Sequence, residues 1–510
     1  MDSASSRPET ARALVDKLAE LSFTADGIAG YLGPEVTEAL YRGEPGVVMS
    51  ATNGNDALAG LIRFFLLRLP TSGEILGELI GHRLAASLID EAFVHVTPAG
   101  EVQVAVDIRP HIIAGKNRVV FSDLDASVTD HVPGPDHVLG VGAASLSLLS
   151  ATPLSPVDSV LDLGTGSGVQ ALAQADSAMR IVATDVHERA LQMARCTMAG
   201  AHVRNVEIRT GSWFEPVEGE SFDRIVANPP FVVGLPEVGH VYRDSGLSLD
   251  GATQLVVKHA PAHLNPNGTA YTLGAWVHTR EESWATRIAS WLPKRGVSAW
   301  VIQRDVADPG QYVSTWLKDE SIDPRSRAGI ERTQEWLEYF REEGVIGVGF
   351  GWIFLRDIGD RPTEVTCEEV LQPFTDPLGP EVDEYFERIG WLRDKTAAEI
   401  LQSTYLVRPG VAREEVSLAD SETGMGFTPQ VIRLTRTDGP RFSHEVDRAL
   451  ASIVAGLHPQ GLNLEETVGL WAAAQGIDDE EELASSAVSA VVDLIRHGLI
   501  LPSDIATTQA

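Results

Sequence analysis

Cysteine is scarce in this chain, which has only two, Cys196 and Cys367, among its 510 residues. Two cysteines so far apart in sequence support neither a disulfide framework nor a zinc site. Because disulfide-stabilised proteins of oxidising compartments contain more cysteine, the composition favours a reducing, cytoplasmic location. We also expect no bound metal ion.

Long uncharged apolar runs are missing as well. The apolar stretch LIRFFLLRL is interrupted by Arg63 and Arg68, whereas a helix that spans a bilayer needs about 20 predominantly apolar residues. The first ten residues, MDSASSRPET, are polar and lack the apolar core of a signal peptide. We therefore expect no association with a membrane.

Positive charge is in deficit throughout the chain. There are 40 lysines and arginines against 72 aspartates and glutamates, which gives a net charge of −32. Broad electrostatic capture of nucleic acid depends on lysine and arginine contacts with phosphates, so the composition argues against it. A local basic patch remains compatible with these numbers, and the sequence predicts no particular oligomeric state.

The order of predicted elements divides the chain into three domains. Residues 1–115 form an N-terminal α+β domain, in which helices precede a hairpin around Pro98-Ala99-Gly100. That order is typical of a winged-helix-like module, but a helical cap on the next domain is an equally good interpretation. Residues 361–510 form a C-terminal α+β domain, which begins with a proline-rich linker, ends in helices and is also winged-helix-like in order.

The central domain, residues 116–360, alternates strands and helices. This alternation predicts an α/β fold with a doubly wound sheet and helices on both faces. A long helical excursion precedes the last strand, which is consistent with an antiparallel position for that strand. Seven strands are predicted, at residues 159–163, 180–184, 206–209, 222–227, 269–273, 298–304 and 345–355.

A glycine-rich loop follows the first of these strands. In VLDLGTGSG the glycines let the backbone turn tightly and approach a ligand, and Asp162 lies at the end of the strand. The next strand ends in Asp185, whose carboxylate can accept hydrogen bonds from both hydroxyls of a ribose. This pattern alone is shared by many nucleotide-binding folds. The G-x-G-x-G spacing and Asp162, an acceptor for an ammonium group, favour S-adenosylmethionine over a dinucleotide.

Four motifs occur in order and at normal spacing: VLDLGTGSG, IVATDVHERAL, GSWFEP and FDRIVANPPF. Together they resemble the class I S-adenosylmethionine-dependent methyltransferases, which have a Rossmann-like seven-stranded sheet. The chain is most similar to the release-factor glutamine methyltransferases and to the "small"-domain methyltransferases of ribosomal RNA guanines. The resemblance covers roughly residues 120–360.

The resemblance implies a site for the cofactor S-adenosylmethionine. The glycine loop would surround its methionine portion, Asp185 would bind its ribose, and Asn228 would lie beside it. The stretch HVPGPDH stands where the family has a proline-rich loop that closes over the cofactor, although the family's arginine is absent here. Ser212 stands where relatives often have an acid beside the adenine. The implied cofactor-binding residues are Pro133, Asp162, Gly164, Thr165, Gly166, Gly168, Asp185, Val186, Ser212, Trp213 and Asn228.

The same resemblance assigns catalysis to Asn228, Pro229, Pro230 and Phe231. The Asn228 side-chain oxygen and the Pro229 carbonyl would accept hydrogen bonds from the target NH₂, and the prolines would fix the turn. The Phe231 ring would lie against a flat amide or base. The simpler interpretation is a turn that ends a strand.

Several functions remain compatible with the sequence. The acceptor could be a planar nitrogen of a protein or of an RNA base, or a nitrogen of a small molecule. A catalytically inactive methyltransferase fold that serves as an interaction module is a further alternative. Tyr242, Arg243 and Asp244, in the loop after the Asn-Pro-Pro-Phe turn, are candidates for holding the substrate or for ordering the loop.

Overall fold

The computed structural model describes residues 6–124, 134, 136–235, 246–319, 322–477 and 480–506. The chain divides into two compact units: Met1–Leu149 with Leu154–Glu369, and Ser150–Pro153 with Val370–Ala510. We call them unit 1 and unit 2. The division into three domains at 1–115, 116–360 and 361–510 stays a prediction. Within the described ranges, no helix has the length and apolar character needed to cross a membrane.

The N-terminal part of unit 1 consists of helices followed by two hairpins. Its helices are α1 (Ser6–Glu20), α2 (Ala25–Tyr41), α3 (Pro45–Ala51), α4 (Ala57–Leu61), α5 (Gly73–Ile80) and α6 (His82–Asp90), and a π-helical turn, Ile62–Leu66, continues α4. The hairpins pair β1 (Val94–Val96) with β2 (Val102–Val104), and β3 (Asp107–Ile113) with β4 (Lys116–Ser122). The sequence predicted an order of helices and then the first hairpin, but it did not predict α3, α5, α6 or the second hairpin. The winged-helix likeness stays an interpretation.

The rest of unit 1 alternates strands and helices. Its elements are α7 (Ala143–Ala151), β5 (Val157–Leu163), α8 (Val169–Gln174), β6 (Ala178–Asp185), α9 (Glu188–Gly200), β7 (Val206–Thr210), β8 (Phe222–Ala227), α10 (Gly251–His259), β9 (Leu264–Thr279), α11 (Trp284–Trp291), β10 (Arg295–Ala307), α12 (Pro309–Asp319), α13 (Arg327–Glu342), β11 (Val345–Pro362) and β12 (Glu364–Glu369). The sheet order is β12-β10-β11-β9-β8-β5-β6-β7. Strand β11 is antiparallel to both of its neighbours, and the remaining pairs are parallel. The predicted doubly wound α/β fold and its antiparallel last strand are confirmed.

The sheet has eight strands rather than the seven predicted. The additional strand, β12, lies beyond residue 360 in the part of the chain that the sequence assigned to the C-terminal domain. Its sequence, EVTCEE, lacks the apolar run that marks the inner strands. Its edge position is instead held by hydrogen bonds from β10: Ser298 Oγ donates to Glu364 over 2.6 Å, and Trp300 Nε1 donates to Glu368 over 2.7 Å.

The N-terminal helices share a core with the sheet layer. Leu14 and Leu18 of α1 are fully buried in the same cluster as Met193 and Cys196 of α9. The ring nitrogen Nε2 of His202, just after α9, lies 2.7 Å from the carboxylate of Asp16. This packing fits the interpretation of the N-terminal helices as a cap on the sheet.

Along the chain, unit 2 has helices before and after the strands of its short antiparallel sheets. Its elements are α14 (Leu378–Arg393), α15 (Ala397–Leu401), β13 (Tyr405–Val407), β14 (Val411–Ala419), β15 (Phe427–Arg436), β16 (Ser443–Val446), α16 (Arg448–Gly456), α17 (Leu464–Gln475), α18 (Glu480–Arg496), β17 (Ile500–Pro502) and α19 (Ser503–Ala506). Strands β14, β15 and β16 form one sheet, and β13 pairs with β17. The strands and helices predicted for the C-terminal domain are present, and its winged-helix likeness stays an interpretation.

A buried ion cluster organises unit 2. Glu381 of α14 accepts hydrogen bonds from Arg388 over 2.7 Å and from Arg436 over 2.8 and 2.9 Å. The two guanidinium groups also donate to the carbonyl oxygens of Arg496 and His497, at the end of α18. Burial by itself would raise the pKa of Glu381, but the charges of Arg388 and Arg436 outweigh it and lower that pKa to about 2. The cluster therefore ties α14, β15 and the C-terminus of α18 together.

Candidate active site

The pairing register of three parallel strands brings the predicted site residues to one edge of the sheet. Leu163, the last residue of β5, pairs with Thr184 of β6 on one side and with Ala227 of β8 on the other. Gly164, Asp185 and Asn228, the next residue of each chain segment, therefore follow at the same level. Ligands of open α/β sheets bind at the carboxyl ends of the strands, which is this edge.

The three glycines after β5 have two different functions. All three have positive φ, 73° at Gly164, 54° at Gly166 and 85° at Gly168, a region that favours glycine. A Cβ atom at Gly164 or Gly166 would meet no atom of the described residues within 4 Å, so this backbone faces open space. A Cβ at Gly168 would lie 3.3 Å from the Cα of Ala194 in α9. The first two glycines thus leave room for a ligand, and the third allows close helix packing.

Asp162 is hydrogen-bonded to the glycine loop and to the start of α8. Its side chain is 1% exposed, and Oδ2 accepts hydrogen bonds from Thr165 Oγ1 over 2.6 Å and from the Ala171 amide over 2.9 Å. Burial raises the pKa of Asp162 to about 6, against the lowering effect of these two donors. The structure therefore gives Asp162 a function that the sequence did not predict, namely that of fixing the loop onto the start of α8.

Asp185 also contacts the loop. Its Oδ2 accepts a hydrogen bond from the Gly166 amide over 3.0 Å, and its Oδ1 accepts one from the His187 amide over 3.0 Å. A carboxylate has about four lone-pair sites, so each oxygen can still accept another hydrogen bond. The half-buried Asp185 is thus held rigidly and keeps the capacity to bind a pair of hydroxyls.

The residues predicted to lie near the adenine follow the ends of β6 and β7. The Gly211 amide donates to the Asp185 carbonyl over 3.1 Å, which places the end of β7 beside Asp185. Ser212 and Trp213 come next and are half-buried, and Trp213 has a φ of 49°. Val186 is 55% exposed, so its side chain is accessible to a ligand.

The Asn-Pro-Pro-Phe segment leaves the sheet directly after β8. Pro229 is buried, whereas Asn228, Pro230 and Phe231 are half-buried. Phe231 packs against an apolar cluster that includes Trp336 and Phe340 of α13. The structure therefore places the amide and the aromatic ring at the same edge as the glycine loop, and their catalytic roles stay predictions.

Some predicted residues cannot be placed and some contacting residues were not predicted. Pro133 lies outside the described residues, as does the segment Tyr242-Arg243-Asp244. The aromatic residues of α12 and α13, which contact the segment after Phe231, were not assigned to the site. Their helical spacing in EWLEYF indicated an apolar helix face but not what that face covers.

Comparison with known protein families identifies the segment that contains this edge. Residues 140–275 match a family described as "Methyltransferase small domain". The chain contains a methyltransferase small domain. On either side of this domain, residues 20–105 and 383–502 match two families described as domains of unknown function, DUF7059 and DUF7782. The predicted resemblance to the methyltransferases is confirmed.

Curated relatives of the methyltransferase domain have two kinds of name. A release factor glutamine methyltransferase of Aliivibrio fischeri is 37% identical over 115 residues, which are 22% of this chain and 38% of that protein. A ribosomal RNA small subunit methyltransferase C of Salmonella newport is 32% identical over 148 residues, which are 29% of this chain and 40% of that protein. The chain thus spans less than half the length of these two relatives.

Among solved structures, the chain matches a T. thermophilus 16S rRNA N2 methyltransferase in complex with AdoMet and guanosine. It is 19% identical, the match covers 40% of this chain and 56% of that chain, and the TM-score is 0.27.

In the part of this chain that the structure describes, no group of three or more His, Cys, Asp or Glu side chains has the arrangement of a metal site.

The raised pKa of Asp162 leads to a pH-dependent prediction. Because the folded-state pKa, about 6, is above the ordinary value of 3.8, the folded protein binds more protons between these two pH values. The stability that protonation of Asp162 gives to the folded protein is complete below about pH 4 and is lost as the pH rises through about 6. Asp162→Asn keeps an acceptor for Thr165 and Ala171 without the charge. We expect the variant to be more stable than wild type at pH 8, by about 1–3 kcal/mol.

Urea unfolding of the Asp162 variant and wild type, followed by hydrogen exchange of the loop, would measure this difference at pH 4 and pH 8. Asp158→Asn, an exposed change on the same strand, is the matched control. A stability difference of the same size at both pH values would contradict the assignment of a buried charge to Asp162.

Proposed function

We propose that this chain is an S-adenosylmethionine-dependent N-methyltransferase that acts on a planar amide or exocyclic amine nitrogen of a protein or an RNA base. The observation that supports this most directly is the strand register, which brings Gly164, Asp185 and Asn228 to one edge of the sheet. A loop that fits a nucleoside cofactor and a turn that fits a planar acceptor are adjacent there.

The cofactor would lie against residues that leave space and offer acceptors. The backbone of Gly164 to Gly168 would surround the methionine portion, with Asp162 and Thr165 holding the loop in shape. Asp185 would accept hydrogen bonds from the ribose, and the adenine would contact Val186, Ser212 and Trp213. Pro133 would belong to a closing loop. When bound, S-adenosylmethionine supplies an electrophilic methyl group on a positively charged sulfur.

The acceptor nitrogen is a poor nucleophile because its lone pair is delocalised into the planar group. Hydrogen bonds from its NH₂ group to the Asn228 side-chain oxygen and the Pro229 carbonyl would favour a pyramidal nitrogen and orient its lone pair. Pro229 and Pro230 restrict their own φ angles, so the turn is preorganised before the acceptor binds. Phe231 would contact the flat face of the acceptor. The nitrogen loses a proton to water only after it has been methylated.

Two acceptor classes agree with the names of the relatives. The release factor enzymes are named for a protein glutamine, and the methyltransferase C family is named for ribosomal RNA. Both acceptors present an NH₂ group on a planar system. The net charge of −32 favours the protein acceptor, because RNA phosphates would be repelled by an acidic surface.

The proposal is tested in two steps. Calorimetry should detect binding of S-adenosylmethionine and of its demethylated product, and no binding of NAD. Cofactor labelled in its methyl group is then added to fractionated lysate, and label is scored in protein, RNA and small molecules. Label only in small molecules would contradict the proposed acceptor, and cofactor binding without any transfer would favour a catalytically inactive module. A cytoplasmic location stays a prediction.

Asp185→Ala should weaken binding of S-adenosylmethionine. The change removes a charged acceptor for two hydroxyls, and it also removes the acceptors of the Gly166 and His187 amides. We expect a loss of about 2 kcal/mol, which is an increase in Kd of about 30-fold.

Calorimetry on the purified Asp185 variant measures this effect, and circular dichroism verifies that the fold persists. Asp185→Asn is the matched control: it keeps one neutral acceptor and should have intermediate affinity. Wild-type affinity in the alanine variant would mean that the ribose does not bind to Asp185.

A further inference from the structure

The helical pair α12–α13 lies outside the residues that match the methyltransferase small domain, which end at residue 275. It is inserted between β10 and β11, and neither the family match nor the proposed chemistry gives it a role. Its inner face contributes Tyr312, Trp336 and Phe340 to one buried cluster, which also contains Val232 and Val233 from the segment after the Asn-Pro-Pro-Phe turn. The insertion therefore contacts the acceptor side of the site.

A buried hydrogen bond connects α12 to that segment. The backbone amide of Val233 donates to the Tyr312 hydroxyl over 2.6 Å, and both residues are buried. The Tyr312 ring is stacked on Phe350 of β11, with centroids 5.7 Å apart and an angle of 25° between the planes. It also meets Trp336 edge-on, at 6.2 Å. Because its ring is enclosed by these aromatic residues, the Tyr312 hydroxyl is a fixed acceptor.

Helix α13 contacts the same segment one residue further along. Gly234 lies under the Trp336 indole so closely that a Cβ atom there would be 2.5 Å from Cζ2 of the ring. Gly234 also forms a β-bridge with Leu249. The residue after Leu249, Asp250, accepts hydrogen bonds from the Val277 amide over 3.0 Å and from Arg287 over 2.7 Å. The backbone on both sides of residues 236–245 is thus attached to the rigid sheet and its helices.

The sheet itself is extended beneath this insertion. Ala227, the last residue of β8, pairs with Thr272 of β9, yet β9 continues to Thr279. Beyond the level of Asn228, Ala275 and Val277 of β9 and Val348 of β11 form the floor of the cluster. The extension has no counterpart in β5 or β8, and one of its faces supports the inserted helices and the segment they contact.

We propose that α12 and α13 form an acceptor-positioning element, and that Tyr312 is a positioning residue for Phe231. This inference rests on the proposed function. Two prolines restrict the backbone immediately before Phe231, and the Tyr312 hydroxyl holds it two residues later at Val233. The Phe231 ring is thereby presented in one orientation to a planar acceptor, and Tyr312 acts through it without contacting the acceptor.

The test compares Tyr312→Phe, which removes the hydroxyl and keeps the ring, with the wild-type full chain. Tyr405→Phe is the matched control, because the buried Tyr405 hydroxyl donates a hydrogen bond of the same length, 2.6 Å, to the Ile400 carbonyl in unit 2. Hydrogen exchange of the peptide that covers residues 228–235 is measured first, since it needs no acceptor. The acceptor for kinetics is the lysate fraction, protein or RNA, that takes up label from the cofactor.

We expect Tyr312→Phe, but not Tyr405→Phe, to accelerate exchange of the Val233 amide by about tenfold or more. We expect KM for the acceptor fraction to rise about fivefold to tenfold, with kcat and the affinity for S-adenosylmethionine within about twofold of wild type. In a Phe231→Ala background, Tyr312→Phe should change KM by no more than about twofold, because residues that act through one another are not additive.

Unchanged exchange at Val233 would overturn the proposal, as would an effect on KM that is fully additive with Phe231→Ala. Equal effects of Tyr312→Phe and Tyr405→Phe would also overturn it, since they would indicate only a loss of stability. Failure of the proposed function gives a different result: no fraction takes up label from the wild-type protein, whatever the exchange data show.

Discussion

Asn228→Ala is expected to lower the rate of methyl transfer by about 10²–10³ while the affinity for S-adenosylmethionine stays close to the wild-type value. In the proposed site the Asn228 side chain lies beside the cofactor but forms its hydrogen bond with the acceptor nitrogen. The side-chain oxygen of Asn228 is a hydrogen-bond acceptor that matters most while the target nitrogen is becoming tetrahedral. Its loss therefore affects the transition state more than the ground state.

Phe231→Ala should change a different kinetic parameter from Asn228→Ala. Removing the ring removes a face on which the acceptor rests in both the ground state and the transition state. For a base, such a stacking contact is worth about 1–3 kcal/mol. The expected result is therefore a higher KM with little change in kcat.

Steady-state kinetics on the labelled lysate fraction separate these two effects, and calorimetry measures cofactor affinity independently. Asn265→Ala is a suitable control, because Asn265 lies at the other end of the sheet, where its side chain donates to Asp223 over 2.8 Å. If Asn228→Ala transfers methyl groups at the wild-type rate, the Asn-Pro-Pro-Phe segment is only a turn, and the proposed planar acceptor is contradicted.

The inner strands of the sheet could be predicted from the sequence because they are short apolar runs between breakers. The predicted strand 222–227 coincides with β8, and 159–163 lies within Val157–Leu163. Strands outside this pattern were predicted less well. The prediction for β9 covered residues 269–273, whereas the strand is Leu264–Thr279. Of its additional residues, 274–279 pair with β11, which is far away in sequence.

The two sides of the candidate site also differ in how far the sequence predicts them. The glycine loop and Asp185 belong to local motifs, in which φ and spacing are properties of a few consecutive residues. The acceptor side depends on contacts between distant segments, such as the bond between Val233 and Tyr312, which are 79 residues apart. No local pattern in the sequence specifies that contact, so the function of α12 and α13 emerges only from the fold.

Glu381→Ala is expected to destabilise unit 2 by about 3 kcal/mol, because it removes the carboxylate that two buried guanidinium groups share. The side chains of Arg388 and Arg436 are 0% and 2% exposed, so water cannot replace the lost carboxylate. Arg388 keeps a hydrogen bond to the Glu384 carboxylate and Arg436 keeps one of 3.1 Å to the Asp438 carboxylate, but the carboxylate that joins the two guanidinium groups is lost. Gly498 permits this close approach, since a Cβ there would lie 2.8 Å from Arg436 Nη1.

The effect of Glu381→Ala should depend on pH in a defined direction. The pKa of Glu381 in the folded protein, about 2, is below the ordinary value of 4.5, so the stability that its charge provides is complete above about pH 4.5. That stability is lost as the pH falls from 4.5 towards 2. The difference between variant and wild type should therefore be the same at pH 5 and pH 7 and smaller at pH 3.

Hydrogen exchange in urea, read from peptides of α14, β15 and α18, measures the stability of unit 2 within the full chain. Glu387→Ala, an exposed glutamate on the same helix, is the matched control and should cost about 1 kcal/mol or less, because an exposed ion pair contributes no more than that. A loss from Glu381→Ala no larger than that of the control would show that the cluster does not stabilise unit 2.

Every described residue proposed to bind S-adenosylmethionine lies in unit 1. We therefore expect the Glu381 variant to bind the cofactor with wild-type affinity even under conditions in which unit 2 has unfolded, and reduced affinity would mean that the cofactor site depends on unit 2.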